Sequence, residues 1–398
     1  MSGMIIRDFM EKRDNEFLPW NGSFEYRLKE LMCYKYEKFK IAVYLYEKPD
    51  TSTFRYRAYN MCQALSESAK WRGVYFFENE LIRLSDYVKY IDIVILVRFH
   101  WSPALARFVS VAKQQKKTLF FDVDDLVFDI KYFYDLLDSI NIDRNSIEEV
   151  RYWEKYVETL NHTALMCDSY ITTNDYLKKI LQDAFGKQCV VIPNTYNIWQ
   201  EEVSERLYNR VVSKNKNSFV IGYFSGSHTH EKDFQVMAKA VGELLYSFPE
   251  MKLVIGGHMK VPGYMEELVK LKRVEFIPFL NFTELQCAIA NVDVNVVPLT
   301  DTVFTNCKSE LKYFEASIAG TLSVMSPRYV YRNIIKTGEN GYLCNDNEWY
   351  ETIFNIYNHW NAQDKIIERA YEFCRKGYRY SSIRNKIEEC FGRNIDNI

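Results

Sequence analysis

The sequence predicts an α/β protein built as two Rossmann-like, doubly wound domains facing a cleft, and three observations carry that prediction. Short apolar segments alternate with amphipathic helical stretches along most of the chain, the pattern of parallel sheets covered by helices. The series runs twice, interrupted between Trp199 and Asn217 by polar and charged text ending in Lys214-Asn215-Lys216-Asn217, which reads as the domain linker. The length, 398 residues, exceeds what a single core usually supports.

The elements follow in order. A polar lead, read as helix, precedes a buried strand at Phe39–Tyr46, which the turn-rich Glu47-Lys48-Pro49-Asp50-Thr51-Ser52 ends. A helix through Tyr56 to Leu65 comes next. Further strands are expected at Val74–Phe77, Ile91–Val97, Thr118–Val123, Ser169–Thr172 and Cys189–Pro193. Each is apolar and bounded by helical stretches. The second series has strands at Phe219–Phe224, Lys252–Gly257, Val274–Pro278, Val292–Leu299 and Leu322–Met325, with a helix from about Asp233 to Phe248.

Composition narrows the class. A hydrophobic share of 47% with 26% charged residues is that of a globular chain. The formal charge of −2, from 51 basic and 53 acidic residues, offers no electrostatic footprint for nucleic acid. The nine cysteines are odd in number and form no C-x-x-C pair, which argues against a disulfide framework or a structural zinc site. The first residues build no signal-peptide apolar core, and no apolar run approaches the ~20 residues of a spanning helix. A cytoplasmic protein is expected, with peripheral contact at the inner face of a membrane left open.

The stretch from Thr305 to Gly320 is the most informative part of the chain. Read as one helix, it turns through ~700° between Lys308 and Glu315, which sets the two on one stripe ~10.5 Å apart along the axis. A cation at a helix N-terminus meets phosphate where free N–H groups and the macrodipole favour negative charge, and a carboxylate two turns later can accept ribose hydroxyls. The span suits a nucleoside diphosphate. The bland alternative is a solvated face with Lys308 and Lys312 at i, i+4. The apolar stripe Leu311, Phe314 and Ile318, and the strand and Pro298 loop before it, favour the first reading.

Other constellations end predicted strands. Ser225, Gly226 and Ser227 are small residues that let backbone N–H groups approach an anion, with His228 and His230 following. This run matches neither a G-x-G-x-x-G fingerprint nor a Walker loop, and an ordinary tight turn capped by Asp233 is its plain alternative. Asp122, Asp124 and Asp125 set carboxylates at a strand end, where repulsion raises proton affinity and makes acid–base or metal work possible. Helix capping and loop hydrogen bonds are the plain alternative there. A dehalogenase-like phosphatase motif would continue to Thr or Val where this chain has Leu126, and a metal-binding D-x-D transferase has one domain. Neither accounts for the second α/β half. Arg55, Arg57 and Arg98 follow strands of the first domain and are candidates to clamp phosphate or an acceptor. Hydrolase signatures such as G-x-S-x-G and H-E-x-x-H are absent.

Taken together, Val191-Ile192-Pro193-Asn194, Ile221 to Phe234, Val254-Ile255-Gly256-Gly257, Asp293 to Leu299 and Lys308 to Gly320 resemble the GT-B superfamily of nucleotide-sugar glycosyltransferases. The likeness is to the "glycosyl transferases group 1" type of bacterial polysaccharide assembly, including rhamnosyltransferase-like members. It implies an acceptor-side domain at 1–205, a donor domain at 206–377, and a closing segment at 378–398 that crosses back as a helix onto the first domain. It further implies that Glu315 binds the donor ribose, Lys308 and Ser309 the diphosphate, and Ser225, Gly226 and Ser227 form the phosphate loop. His230 falls about where the family places a lysine.

Asp124 or Asp125 takes the place of a family His-Asp segment and becomes the candidate for contacting the sugar or deprotonating the acceptor. The family's E-x7-E pair is incomplete, because Cys307 stands where its first Glu would be. The implied reaction moves a hexose or deoxyhexose from a nucleoside-diphosphate sugar to a hydroxyl of a glycan or lipid-linked glycan, with retention favoured. It needs no metal and no cofactor. The alternatives are a nucleotide-sugar epimerase of the same architecture and a non-catalytic sugar- or partner-binding relative.

Overall fold

The computed structural model describes residues 18–211, 218–226 and 228–395. Two parallel six-stranded sheets organise it. The first contains β1 (Lys40–Tyr46), β2 (Trp71–Phe77), β3 (Ile93–Val97), β4 (Thr118–Asp122), β5 (Ser169–Thr172) and β6 (Cys189–Val191), in the order β2-β1-β3-β4-β5-β6. The second contains β7 (Phe219–Gly226), β8 (Met251–Gly257), β9 (Val274–Ile277), β10 (Val294–Val297), β11 (Leu322–Met325) and β12 (Tyr342–Leu343), in the order β12-β11-β10-β7-β8-β9.

Central strands such as β3 and β4 are buried along their whole length, as sheets covered on both faces require. Helix Asn60–Ser66 lies so close on β2 that a Cβ at Gly73 would stand 2.7 Å from the Cys62 Cα. Only glycine fits there. Strand order reverses between β1 and β3 in one sheet and between β7 and β10 in the other. Ligands in such sheets bind beyond the strand carboxyl ends at these reversals, and residues following both reversals line one cleft.

Most of the stretch read as a linker is helix. Ile198–Val211 is helical, and its Val203 and Leu207 pack with Cys287, Ile289 and Ala316 of the second half. A division after residue 205 therefore falls inside one helix, and 212–217 lie outside the described residues. The chain's last helix, Arg384–Ile395, sits on the first sheet's layer, with Phe391 against Trp71 and Phe120.

The two halves also share side chains. Phe304 and Cys307, from the second half, are buried in the first half's core. Trp20 and Phe282 meet across the boundary with ring centroids 5.4 Å apart. Among the described residues no helix is long and apolar enough to cross a membrane.

Candidate functional site

The segment expected to be one helix is two. Thr302 caps a short helix, Val303–Asn306, and a second helix runs Leu311–Ile318, so Lys308 and Ser309 lie in the turn between them. The one-stripe placement of Lys308 with Glu315 is thereby corrected. In a continuous helix the carbonyls of Cys307 and Lys308 would accept from the N–H groups four residues on. Here Asn174 Nδ2, from the first half, donates to both, at 2.8 Å and 3.2 Å. Burial of Phe304 and Cys307 in the first half's core holds the break in place. Gly320, at φ +79°, follows the second helix.

The lysine that shares the helix with Glu315 is Lys312. Its Nζ donates to Ser225 Oγ and lies 3.4 Å from the Phe224 carbonyl, tying the helix to the end of β7. Burial and the neighbouring Lys308 charge hold its ammonium down at about 8. Lys308 also lines the cleft, its Nζ lying 4.7 Å from the centre of the Phe304 ring. His230 lines the same wall and its Nδ1 is 3.1 Å from Asp233 Oδ2. Burial lowers the imidazole's proton affinity, so it is neutral at pH 7. Asp233 is itself buried and accepts from the N–H and the hydroxyl of Thr300, both at 2.9 Å. Asp233 lies in the first turn of helix Glu231–Ser247, whose cap position is His230, so it ties that helix to the loop after β10 and is not the cap expected from the sequence. Ser225 and Gly226 end β7, and Ser227 lies outside the described residues.

Glu315 is partly buried beside the cleft, and burial raises its proton affinity. Tyr56, from the first half, donates its hydroxyl to Glu315 Oε1 and accepts from Gln200 Nε2 at 2.8 Å. Leu285 and Ile289 supply apolar wall to a cleft of about 390 Å³, a volume suited to a small-molecule ligand.

Across the cleft stand Arg55, Arg98, Asp124 and Asp125. Arg98 ends β3 at φ 39°, a conformation that costs a non-glycine residue energy and is held here by its N–H to the Asp122 carbonyl at 2.7 Å. Its guanidinium lies 3.1 Å from the Tyr156 hydroxyl and 3.5 Å from Asp124. Asp124 also accepts from Thr53 at 3.3 Å. Asp125 differs, because its Oδ1 is buried with no hydrogen-bond partner among the described residues. Arg55 lies over the Phe282 ring at 4.7 Å.

Arg57 does not reach the cleft, which corrects its assignment as a ligand contact. It is fully buried and grips Asp122 with Nε and Nη2, both at 2.8 Å. Its Nη1 donates to the Ile192 carbonyl at 2.8 Å and to Asn194 Oδ1 at 3.1 Å. Burial pushes the Asp122 carboxyl up to about 6, and the bidentate guanidinium, which keeps its proton, limits that rise and leaves it ionised at pH 7. Asp122 is therefore absent from the cleft as well. Cys307 also turns away, with its thiol buried among first-half residues.

The sequence reading did not single out Lys312 as a cleft-lining cation, nor Tyr56, Asn174 and Asn194 as residues that fix the site. The i, i+3 spacing of Lys312 and Glu315 was a visible signal for the first. Nothing local marks the other three, because each acts on a residue more than a hundred positions away. Among the described residues no cluster of three or more His, Cys, Asp or Glu side chains is arranged to hold a metal ion.

Residues 218–359 match the family model "Glycosyl transferases group 1". Among solved structures, a glycosyltransferase from Rickettsia africae superposes with a TM-score of 0.62 at 12% identity, covering 90% of this chain and 100% of that one. HepE of Anabaena, in complex with UDP and glucose, gives 0.57 at 14%, covering 89% and 100%. The sucrose-phosphate synthase of Thermosynechococcus elongatus gives 0.58 at 13%, covering 90% and 100%. No curated protein matches the chain.

Proposed function

We propose that this GT-B-fold chain, whose second half matches the glycosyl transferases group 1 model, is a nucleotide-sugar-dependent glycosyltransferase. The observation that carries the reading is the meeting of Lys308, Lys312 and His230 with Glu315 on one wall of a cleft whose other wall holds Asp125. The two lysines face the reversal of the second sheet, where a diphosphate would lie, with the neutral His230 beside them as a hydrogen-bonding group. Glu315 is the ribose acceptor. UDP and glucose in the complex of HepE support a nucleoside-diphosphate hexose as the donor class; a deoxyhexose is the other member of the proposal.

In the proposed step, a single displacement that would invert C1 and so departs from the retention favoured by the resemblance, an acceptor hydroxyl of a glycan or lipid-linked glycan gives its proton to Asp125 as its oxygen bonds the sugar C1. The bond from C1 to the β-phosphate oxygen breaks, and the nucleoside diphosphate departs with its charge stabilised by Lys308 and Lys312. These two cations take the role a metal plays in other transferases, so activity is expected to survive chelator. Asp124 is engaged by Arg98 and Thr53, which leaves Asp125 as the base. With Cys307 facing the first half's core, Asp125 is also the carboxylate proposed to face the sugar. Work at the cytoplasmic face of a membrane fits a lipid-linked acceptor.

The test is a thermal-shift and calorimetric panel of UDP, GDP, dTDP, ADP and CDP on wild type and Glu315→Ala. One diphosphate is expected to stabilise the wild type selectively and to lose that effect in the variant. No binding by any of them would overturn the proposal.

A pH dependence follows from Lys312. With its ammonium held near 8 in the free protein, a bound diphosphate favours the protonated form, so binding takes up a proton once the free lysine is neutral. Affinity is expected to be flat below about pH 7 and to fall by up to about tenfold per unit above 8. Lys312→Arg, which keeps its charge, should flatten the fall. Calorimetry across that range checks it.

A further inference from the structure

Resting on the donor-site reading above, we propose that Arg57 and Asn194 are positioning residues that aim the Ser309 hydroxyl hydrogen at an anionic ligand in the cleft. Asn194 is fully buried between the two halves. Arg57 has no acceptor, so the amide must present Oδ1 to it, and does so at 3.1 Å. That leaves Nδ2 for Ser309, whose Oγ it approaches at 3.0 Å. The amide's orientation is therefore set by the arginine, not by the serine.

The consequence falls on the serine. Its oxygen is occupied as an acceptor, so its one hydrogen must be donated elsewhere. Among the described residues no acceptor for that hydrogen is found, and Ser309 lines the cleft beside Lys308. A phosphate oxygen is the partner that matches a neutral donor next to a cation. Arg57 is in turn clamped by Asp122 and by the Ile192 carbonyl. The chain Asp122–Arg57–Asn194–Ser309 thus carries order from the end of β4 to the second half's diphosphate wall. A first-half side chain thereby prepares a group on the opposite side of the cleft.

Asn194→Asp tests this, because it keeps size and the Arg57 contact but presents only acceptors to Ser309, drawing its hydrogen out of the cleft. Binding of UDP, or of whichever diphosphate stabilises the wild type, and of the matching nucleoside is measured by calorimetry and ligand-observed NMR. Diphosphate affinity is expected to fall about tenfold or more, with nucleoside affinity unchanged. Ser309→Ala should match that loss, and the double variant should be no weaker than the weaker single.

If Asn194→Asp does not fold, Asn194→Ala replaces it, with a smaller loss and the same non-additivity. Unchanged diphosphate binding, a parallel loss of nucleoside, or losses that multiply would each overturn the proposal. A wild type that binds no diphosphate would instead overturn the donor-site reading, and this inference with it.

Discussion

Replacing Lys308 with alanine is expected to lower kcat/KM by about 10²–10³-fold, as loss of a preorganised group facing developing charge does. The lysine stands at the turn between two helices, where the Asn174 amide and the buried Phe304 and Cys307 fix its backbone from the first half. A cation held this way needs little reorganisation when the diphosphate departs. The loss should appear mainly in kcat if Lys308 meets charge that grows in the transition state, and mainly in KM if it binds the ground-state diphosphate equally. Lys308→Arg should recover only part, because the turn was set for a point charge and not for a planar fork. Steady-state kinetics with saturating acceptor separates these outcomes. An unchanged kcat/KM would remove Lys308 from the diphosphate site and leave Lys312 as its cation.

Arg57→Ala is expected to cost about 3–5 kcal/mol of stability, the range for removing one partner of a buried ion pair. Arg57 and Asp122 are both essentially inaccessible, and the guanidinium also satisfies the Ile192 carbonyl and Asn194. Without it Asp122 keeps its burial and loses its counter-charge, so its carboxyl, already pushed up to about 6 by burial, rises further above its unfolded value. A group whose folded affinity for protons is raised stabilises the fold at low pH and loses that contribution as pH rises. The variant should therefore recover part of its lost stability between pH 7 and about 5, by more than the wild type gains over the same interval. Urea unfolding at the two pH values measures both effects. A loss under about 1 kcal/mol, with no such recovery, would show that Asp122 finds another partner.

Most of the fold was legible in the sequence because parallel strands buried on both faces leave short apolar runs that few other structures produce. The runs at β3, β4 and β10 are of this kind. The polar text near residue 205 misled because helix Ile198–Val211 shows solvent most of its charged face and buries only a few apolar positions, Val203 and Leu207 among them. The residues Arg98, Asp124, Asp125, His230, Ser309 and Glu315 were found from their places after strands or in one short motif, and the structure brings them to a single cleft.

Arg57 shows where such reasoning stops. Arg55 and Arg57 are two positions apart after the same strand, yet one lines the cleft and the other is buried against Asp122. The helical turn that carries them points them in different directions, and no local pattern says which faces the ligand. Lys308 and Lys312 pose the same problem, since either could share a stripe with Glu315. Sequence periodicity and residue type determined the two sheets and the chemical inventory of the cleft, because both depend on interactions within a few residues. Which cation sits on the helix, which carboxylate is neutralised and which amide aims the serine were decided only by the packed tertiary structure. Those outcomes rest on contacts such as Asn174 with Cys307 and Asn194 with Ser309, whose partners lie more than a hundred residues apart.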